Sequence, residues 1–595
     1  MTYQNIMENT LNKKQFWKMF KGRAIIVTAL RQGGQSRDIA NRVNHTEGRG
    51  DASLRTKAEY SALFDLLHEE VDTGNVKGVL TLQDNNGNLT EVGTQVQRYL
   101  EASQDKDDFF NYEMYMVHIT GWPQEYFRPV EPVNSPPGAQ FGFWKTDPKS
   151  NLHIAPPPDS EGILFITEDF SVRNSGNLTL HVPKPSWKLN FKAEDGEDRI
   201  LGMSRLNLKA MYNDPSQMRE ALAWYLFDQA GVPSSRHTFA KLGINDIYMG
   251  LFSLIEQVDK QFLKEHFGKN DEGNLYKAYW DDIGPASLEY RQSDDGDDSG
   301  CQYFKAANID NRTYRLKTNE NDPKANNYDD LAKFIRIING VQLRGNNKFN
   351  TAKYQEAVTN IMNVKAFLRW MGVNILLGGW DNYYATPANY YLYNSGKKGT
   401  QDKFMAEPYF TWIPWDYDNS FGIDYFDTQW QYNDIIDWVS GTRNYYRGKD
   451  TAKIPLVENL LKNDEFKQYY LDYLEYLLDT DFNPAAIIAA IGVEGGNGLW
   501  DRVRYAAYLA SDTPLGLPHT GRQFTNHEVY RHGCKQQTLS HGNAHIEGII
   551  HYVRMRYDNA HQQLAKLRQK YPKGASGASF SGEMETLPKA ESGPN

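Results

Sequence analysis

Short apolar runs separated by single polar positions dominate residues 162–193, and they predict strands over 162–172, 177–182 and 186–193. In the last of these, Trp187, Leu189 and Phe191 share one face, and Lys188, Asn190 and Lys192 the other. The spacing then changes. YNDPSQMREALAWYLFDQAGVP predicts a helix with Asp214 as N-cap, Pro215 at its first position, and Gly231 and Pro233 ending it. Residues 237–267 read as a strand, an Asn245-Asp246 turn, a second strand, and a helix from about Asp259. Helical spacing returns over 327–340, 351–363 and 364–377, the last apolar enough for a buried core helix, and again over 469–479 and 544–571. Near the start, the pattern predicts helices over 11–20 and 56–74, and a hairpin over 76–92 turning at Asn86-Gly87. Proline clusters at 129–137 and 156–158 mark a boundary. Residues 1–135 therefore read as an N-terminal extension, structural or recognising a substrate or partner. Residues 136–572 read as the main α+β domain, and the Gly- and Ser-rich 573–595 as a disordered tail.

Composition narrows the classes. With 24% charged, 40% hydrophobic and 13% aromatic residues the chain is globular. A net charge of −10 argues against a non-specific nucleic-acid binder. Two cysteines, Cys301 and Cys534, build no disulfide framework. The first apolar run, 24–30, lacks the pattern of a signal peptide, and no run has the ~20 apolar residues of a membrane helix. The expectation is a cytoplasmic protein without membrane association. His527, His532, Cys534 and His541 show no zinc-ligand spacing. The acidic run Asp294, Asp295, Asp297, Asp298 lacks that of a calcium loop.

The chemistry concentrates between Asn374 and Gly422. Asp381, Asn389 and Asp416 stand behind apolar and aromatic segments, each at the edge of what reads as a strand. A carboxylate opening a loop, an amide shortly after it and a second carboxylate behind a strand suit phosphoryl transfer. One carboxylate orients the acceptor, and the other groups hold magnesium on the phosphates. Lys188 sits on a strand of the kind that touches phosphates, or simply on a charged edge strand. Glu220 is a candidate lysine partner or an exposed helix carboxylate. Glu256, where a strand leaves the core, either pairs with a lysine or marks a segment that receives a base.

PKPSWKLNF, ILGMSRLNLKAMYNDPSQMREALAWYLFDQAGVP, YMGLFSLIEQVDKQFL, NLYKA, the Asp381…Asn389-Tyr-Tyr-Leu-Tyr segment and IPWDYDNSFG follow one another in order. In this order they resemble the CotH family, an atypical branch of the protein-kinase-like fold, over about residues 160–430. The resemblance implies two lobes, an amino lobe over about 160–258 and a carboxy lobe over about 259–572. It also implies ATP with Mg2+ or Mn2+ as cofactors and a protein or peptide acceptor, phosphorylated on Ser or Thr. Asp381 matches the family's catalytic Asp, Asp416 its metal-binding Asp, and Asn389 the second metal ligand. Asp418 assists the metal or caps the turn. Lys184 and Lys188 fall in the family's lysine-rich strand, either able to contact phosphate, and Glu256 falls in its Glu-x-hydrophobic-Asp motif. One departure is local. The family commonly carries Arg-Gly-Asn-Ser where this chain has Arg173-Asn174-Ser175-Gly176-Asn177, so the glycine that lets backbone approach phosphate is displaced. That displacement keeps open a different ATP-dependent reaction, adenylylation or acyl-phosphate activation of a peptide. An inactive assembly scaffold is the third reading.

Overall fold

The computed structural model describes residues 114–580 apart from internal stretches, the largest being 147–162, 192–202, 291–311, 439–452 and most of 513–538. The features expected over 11–20, 56–74 and 76–92, and the acidic run at 294–298, lie outside the described residues.

Nine strands form one sheet: β1 (Met114–Thr120), β2 (Val133–Asn134), β3 (Gln140–Thr146), β4 (Ile163–Thr167), β5 (Phe170–Ser175), β6 (Ser186–Phe191), β7 (Arg205–Lys209), β8 (His237–Ile244) and β9 (Ile247–Glu256). Their spatial order is β2-β5-β6-β7-β9-β8-β1-β3-β4. The single strand expected over 162–172 is two, divided at Glu168-Asp169, and these two lie towards opposite ends of the order. So short a link forces the sheet to curl. Its two ends meet through Phe141–Phe191 (4.8 Å between ring centres) and Phe165–Phe191 (5.4 Å), around a core of inward-facing apolar side chains. β1 pairs antiparallel with β3 and parallel with β8. A boundary at 135 therefore cuts off an integral strand. No strand forms at the described positions Leu180 and Val182, where Pro183 and Pro185 follow and cannot donate to a ladder.

Helix α1 (Arg219–Gln229) is packed into the larger core. It opens later than Asp214 and Pro215 suggest, because Gln217 has a left-handed φ of +57°. The N-cap is Met218 and not Asp214, although the Asp214 carboxylate reaches forward to accept the N–H of Ser216 and of Arg219, each at 2.9 Å. Beyond the hairpin β8–β9, with Asn245 in its turn, α2 (Lys260–Phe267) starts after Asp259 as N-cap.

A second sheet follows: β10 (Asn274–Ala278), β11 (Tyr314–Leu316), β12 (Tyr390–Asn394) and β13 (Phe410–Pro414), ordered β11-β10-β12-β13. Helices α3 (Asp329–Ile338), α4 (Ala352–Thr359), α5 (Val364–Leu377) and α6 (Gln401–Ala406) accompany it. α5 is buried along nearly its whole length, as its apolar composition predicts, and ends at Gly378 with φ +59°. The carboxy-terminal part adds β14 (Ile423–Asp424), α7 (Pro455–Leu461), α8 (Asp464–Asp479), α9 (Pro484–Ile491), α10 (Leu499–Asp512), β15 (Leu539–His541), β16 (Ala544–Ile546) and α11 (Ile549–Leu567). The helix expected from 544 begins only after Gly548, because 544–546 is drawn into pairing with β14 and β15. Residues beyond 572 were expected to be disordered, yet the first of them dock. Phe580 packs on Tyr473 at 5.1 Å, and Asp472 accepts the N–H groups of Gly574 and Ser576.

Candidate functional site

Two antiparallel strands bring the acidic residues together. Tyr390 of β12 lies opposite Pro414 of β13, so Asn389 and Asp416 leave the same end of one ladder. Both have left-handed backbones, φ +53° and +66°, which Asn and Asp tolerate better than other side chains. Asn389 Nδ2 donates to the Asp381 carbonyl at 2.9 Å and closes the loop between them. Asn374, fully buried at the end of α5, fixes both flanks. Its Oδ1 accepts from Asn382 Nδ2 and from Tyr417 OH, each at 2.9 Å, the residues directly after Asp381 and Asp416. Gly379 is required beside it, since a Cβ there would lie 2.8 Å from that oxygen.

The Asp381 carboxylate accepts from Thr386 Oγ1 at 2.8 Å and from Asn419 Nδ2 at 3.0 Å. Burial, and then the charge of Asp416, raise its pKa. Asp418 joins the group, its pKa raised by burial and by Asp416. Asp416 itself is ion-paired with Lys209 at the end of β7. Glu220, one residue into α1, is buried close by, and neither carboxylate oxygen has a hydrogen-bond partner of ordinary geometry. Burial raises its pKa, opposed chiefly by Lys209.

On the other side of Lys209 the charge reverses. Arg173 of β5 and Lys188 of β6 are directly opposed in the curled sheet. Lys277, on β10 of the second sheet, faces them. Burial lowers Lys188 to about 7, helped by Lys277, Arg173 and Lys209. Burial likewise lowers Lys277 to about 8; Asp416 opposes this, while Lys209, Arg315 and Arg173 reinforce it. The Lys277 ammonium also lies 4.9, 5.6 and 5.9 Å from the rings of Tyr279, Tyr391 and Trp415. Among the described residues no carboxylate forms an ion pair with Arg173, Lys188 or Lys277. The displaced glycine, Gly176, stands just past β5 with φ +129°, a backbone that favours glycine.

Two expected residues stand elsewhere. Lys184 is buried with its ammonium donating to the carbonyls of Ala210 (2.9 Å) and Leu251, over the ring of Phe252, so main-chain oxygens hold it away from Asp416. Glu256 pairs with Arg236 at 2.9 Å rather than with a lysine. Sequence reading passed over Lys209, Lys277, Thr386 and Asn419. A signal existed for Lys209: it ends the alternating Arg-Leu-Asn-Leu-Lys segment, one connection before the helix that carries Glu220. Lys277 lies in the NLYKA motif, but nothing in that segment ties its lysine to the carboxylates; the pairing of β10 with β12 brings it to the site.

The family model described as CotH kinase protein matches residues 172–493, which takes in every cation and carboxylate of this cluster. The chain belongs to the CotH family. Inner spore coat protein H of Bacillus subtilis is 25% identical over 314 residues, 53% of this chain and 72% of the relative. Two proteins of Rhizopus delemar are also similar. Invasin CotH2 is 20% identical, over 57% of this chain and 51% of its own length. Invasin CotH7 is 21% identical, over 66% and 62%. Among the described residues no helix is long and apolar enough to cross a membrane, and no three His, Cys, Asp or Glu side chains are grouped to hold a metal by themselves. His527 and Cys534 lie outside the described residues.

Proposed function

We propose that this CotH-family protein is an ATP- and Mg2+-dependent phosphotransferase that phosphorylates a Ser or Thr hydroxyl of a protein or peptide. The observation that carries this reading is the cation cluster itself. Arg173 and Lys188 from one sheet and Lys277 from the other gather beside the Lys209–Asp416 pair, and among the described residues none of the three forms an ion pair with a carboxylate. Arg173 is exposed, but Lys188 and Lys277 are desolvated like charges that are costly to assemble, and a polyphosphate is a ligand that relieves the cost. The donor set suits magnesium. Asp416 has one oxygen outside the Lys209 pair, and Asn389 engages only its Nδ2. One or two hard oxygen donors are what Mg2+ takes from a protein when phosphates and water complete its shell. Asp416 and Asn389 would hold it, with Asp418 adjacent, and when bound it would neutralise charge on the phosphates.

The chain's own residues supply the rest. Arg173, Lys188, Lys209 and Lys277 bind and orient the triphosphate. Asp381, aimed by Thr386 and Asn419, accepts the proton of the acceptor hydroxyl as its oxygen bonds to the γ-phosphorus and ADP leaves. The raised pKa of Asp381 makes it the better base. Calorimetric titration with ATP tests the cation cluster. Binding should weaken about tenfold or more in Lys188→Ala and in Lys277→Ala, and lose its Mg2+ enhancement in Asp416→Ala. Binding undisturbed by all three substitutions would sink the reading.

A further inference from the structure

The three segments that carry the site's carboxylates are bolted to one piece of chain, residues 544–556, which lies beyond the 172–493 match. The first contact is with the Asp416 loop. β16 pairs with β14, Ile546 opposite Ile423, and the Glu547 N–H donates to the Gly422 carbonyl at 2.9 Å. The approach is so close that a Cβ on Gly422 would stand 2.7 Å from that of Glu547. The second contact is with the chain leading to Asp381. Tyr552 OH and Arg556 Nε donate to the carbonyls of Leu376 and Ile375, each at 3.1 Å, at the end of α5. Tyr552 fills the space where Gly378 has no side chain. The third is with α1. Arg219, fully buried beside Glu220, spans the Asp214 carboxylate and the Glu547 carbonyl.

These bonds satisfy main-chain carbonyls at a helix end and a loop that would otherwise lack partners. They also fix three separate elements against one another, which burial of each alone does not do. We infer that residues 544–556 are a brace that sets the geometry of the site, with Arg219, Tyr552 and Arg556 as positioning residues. This inference rests on the phosphotransferase reading only for its kinetic consequence.

The test uses the full chain, below the lowest melting temperature of the set. Arg219→Gln and Arg556→Gln are compared with Arg568→Gln, which frees the far end of α11 from Asp472 (2.9 Å) and Glu475 (2.6 Å) and touches none of the three segments. Tyr552→Phe, losing one hydroxyl, is the mild variant. Amide exchange should quicken about fivefold or more over 374–381, 416–422 and 213–220 in the first two, and over 374–381 in Tyr552→Phe, with Arg568→Gln like the parent. Turnover should fall about tenfold or more in the first two while Mg2+-free ATP affinity stays unchanged, since Arg173, Lys188 and Lys277 are held on β5, β6 and β10, whose pairing the brace does not join. Unchanged exchange in all the brace variants, or an equal rise in Arg568→Gln, would overturn the brace. Exchange as expected in a parent that transfers no phosphate would overturn the proposed function and leave the brace standing.

Discussion

Lys188 and Lys277 are the residues whose chemistry the fold changes most. In the free protein, burial and neighbouring cations let them lose their protons near pH 7 and 8. A bound polyphosphate would favour their charged forms, so binding should take up protons. The sign follows: affinity for ATP should fall as pH rises above about 7, by up to about tenfold per pH unit for each group that must be recharged. Calorimetry at pH 8 in buffers of different ionisation enthalpy would show the uptake, and Lys188→Arg, which keeps its charge, should flatten the lower part of the profile. Asn374 works through bonds rather than charge. Asn374→Ala would leave the Tyr417 hydroxyl proton and one Asn382 Nδ2 hydrogen without their buried acceptor, though Trp370 and the Gly379 carbonyl keep their bonds to these groups, and should cost about 1–3 kcal/mol in denaturant unfolding while lowering turnover by more than that loss explains.

At the scale of elements, the buried α5 and the hairpin β8–β9 were legible because their signals are local: an unbroken apolar stretch capped by glycine, and two apolar runs around Asn245. The alternation of β6 likewise put Lys188 on the correct face. Tertiary pairing decided the rest. Residues 544–546 have helical spacing but are taken as a strand by β14, and β1 is tied to the middle of the sheet by β8, more than 100 residues away, which no window of sequence shows. Asn389 and Asp416 do flank strands β12 and β13, whereas Asp381 follows the end of helix α5 in a turn and not a strand, because the apolar run before it is long enough to coil. Lys184 could not be told from Lys209 by pattern, since what separates them is which one finds main-chain carbonyls. The packing of β12 and β13 against α5 sets the site's floor. Trp412 touches Tyr390 at 4.0 Å and Trp370 at 4.7 Å, so Trp412→Ala should cost about 3–5 kcal/mol, read from the shift in denaturant midpoint.

Across the whole molecule, three imidazoles make stability depend on acidity. Burial lowers His237, His266 and His532 to about 3, 4 and 3. Each favours the fold fully above pH 6.5, where the unfolded imidazole is also neutral. Below it, the unfolded chain gains protons that the folded chain refuses. Stability should then decline by about 1.4 kcal/mol per pH unit for each histidine, and His237→Phe should shift the acid midpoint downwards if the ring packs in place. The same molecule joins a curled sheet carrying Arg173, Lys188 and Lys209 to a second sheet that carries Lys277 and, at the ends of β12 and β13, Asn389 and Asp416, with a carboxy-terminal brace holding the carboxylate segments. Phosphoryl transfer at that junction is the central claim, and intact-mass analysis tests it most directly. The purified protein would be incubated with Mg2+, ATP and Ser- and Thr-bearing protein or peptide acceptors, beside Asp381→Ala and Asp416→Ala. The account predicts a phosphate increment on protein or acceptor that disappears in both variants. An AMP increment, or a phosphate increment that persists in Asp381→Ala, would contradict it.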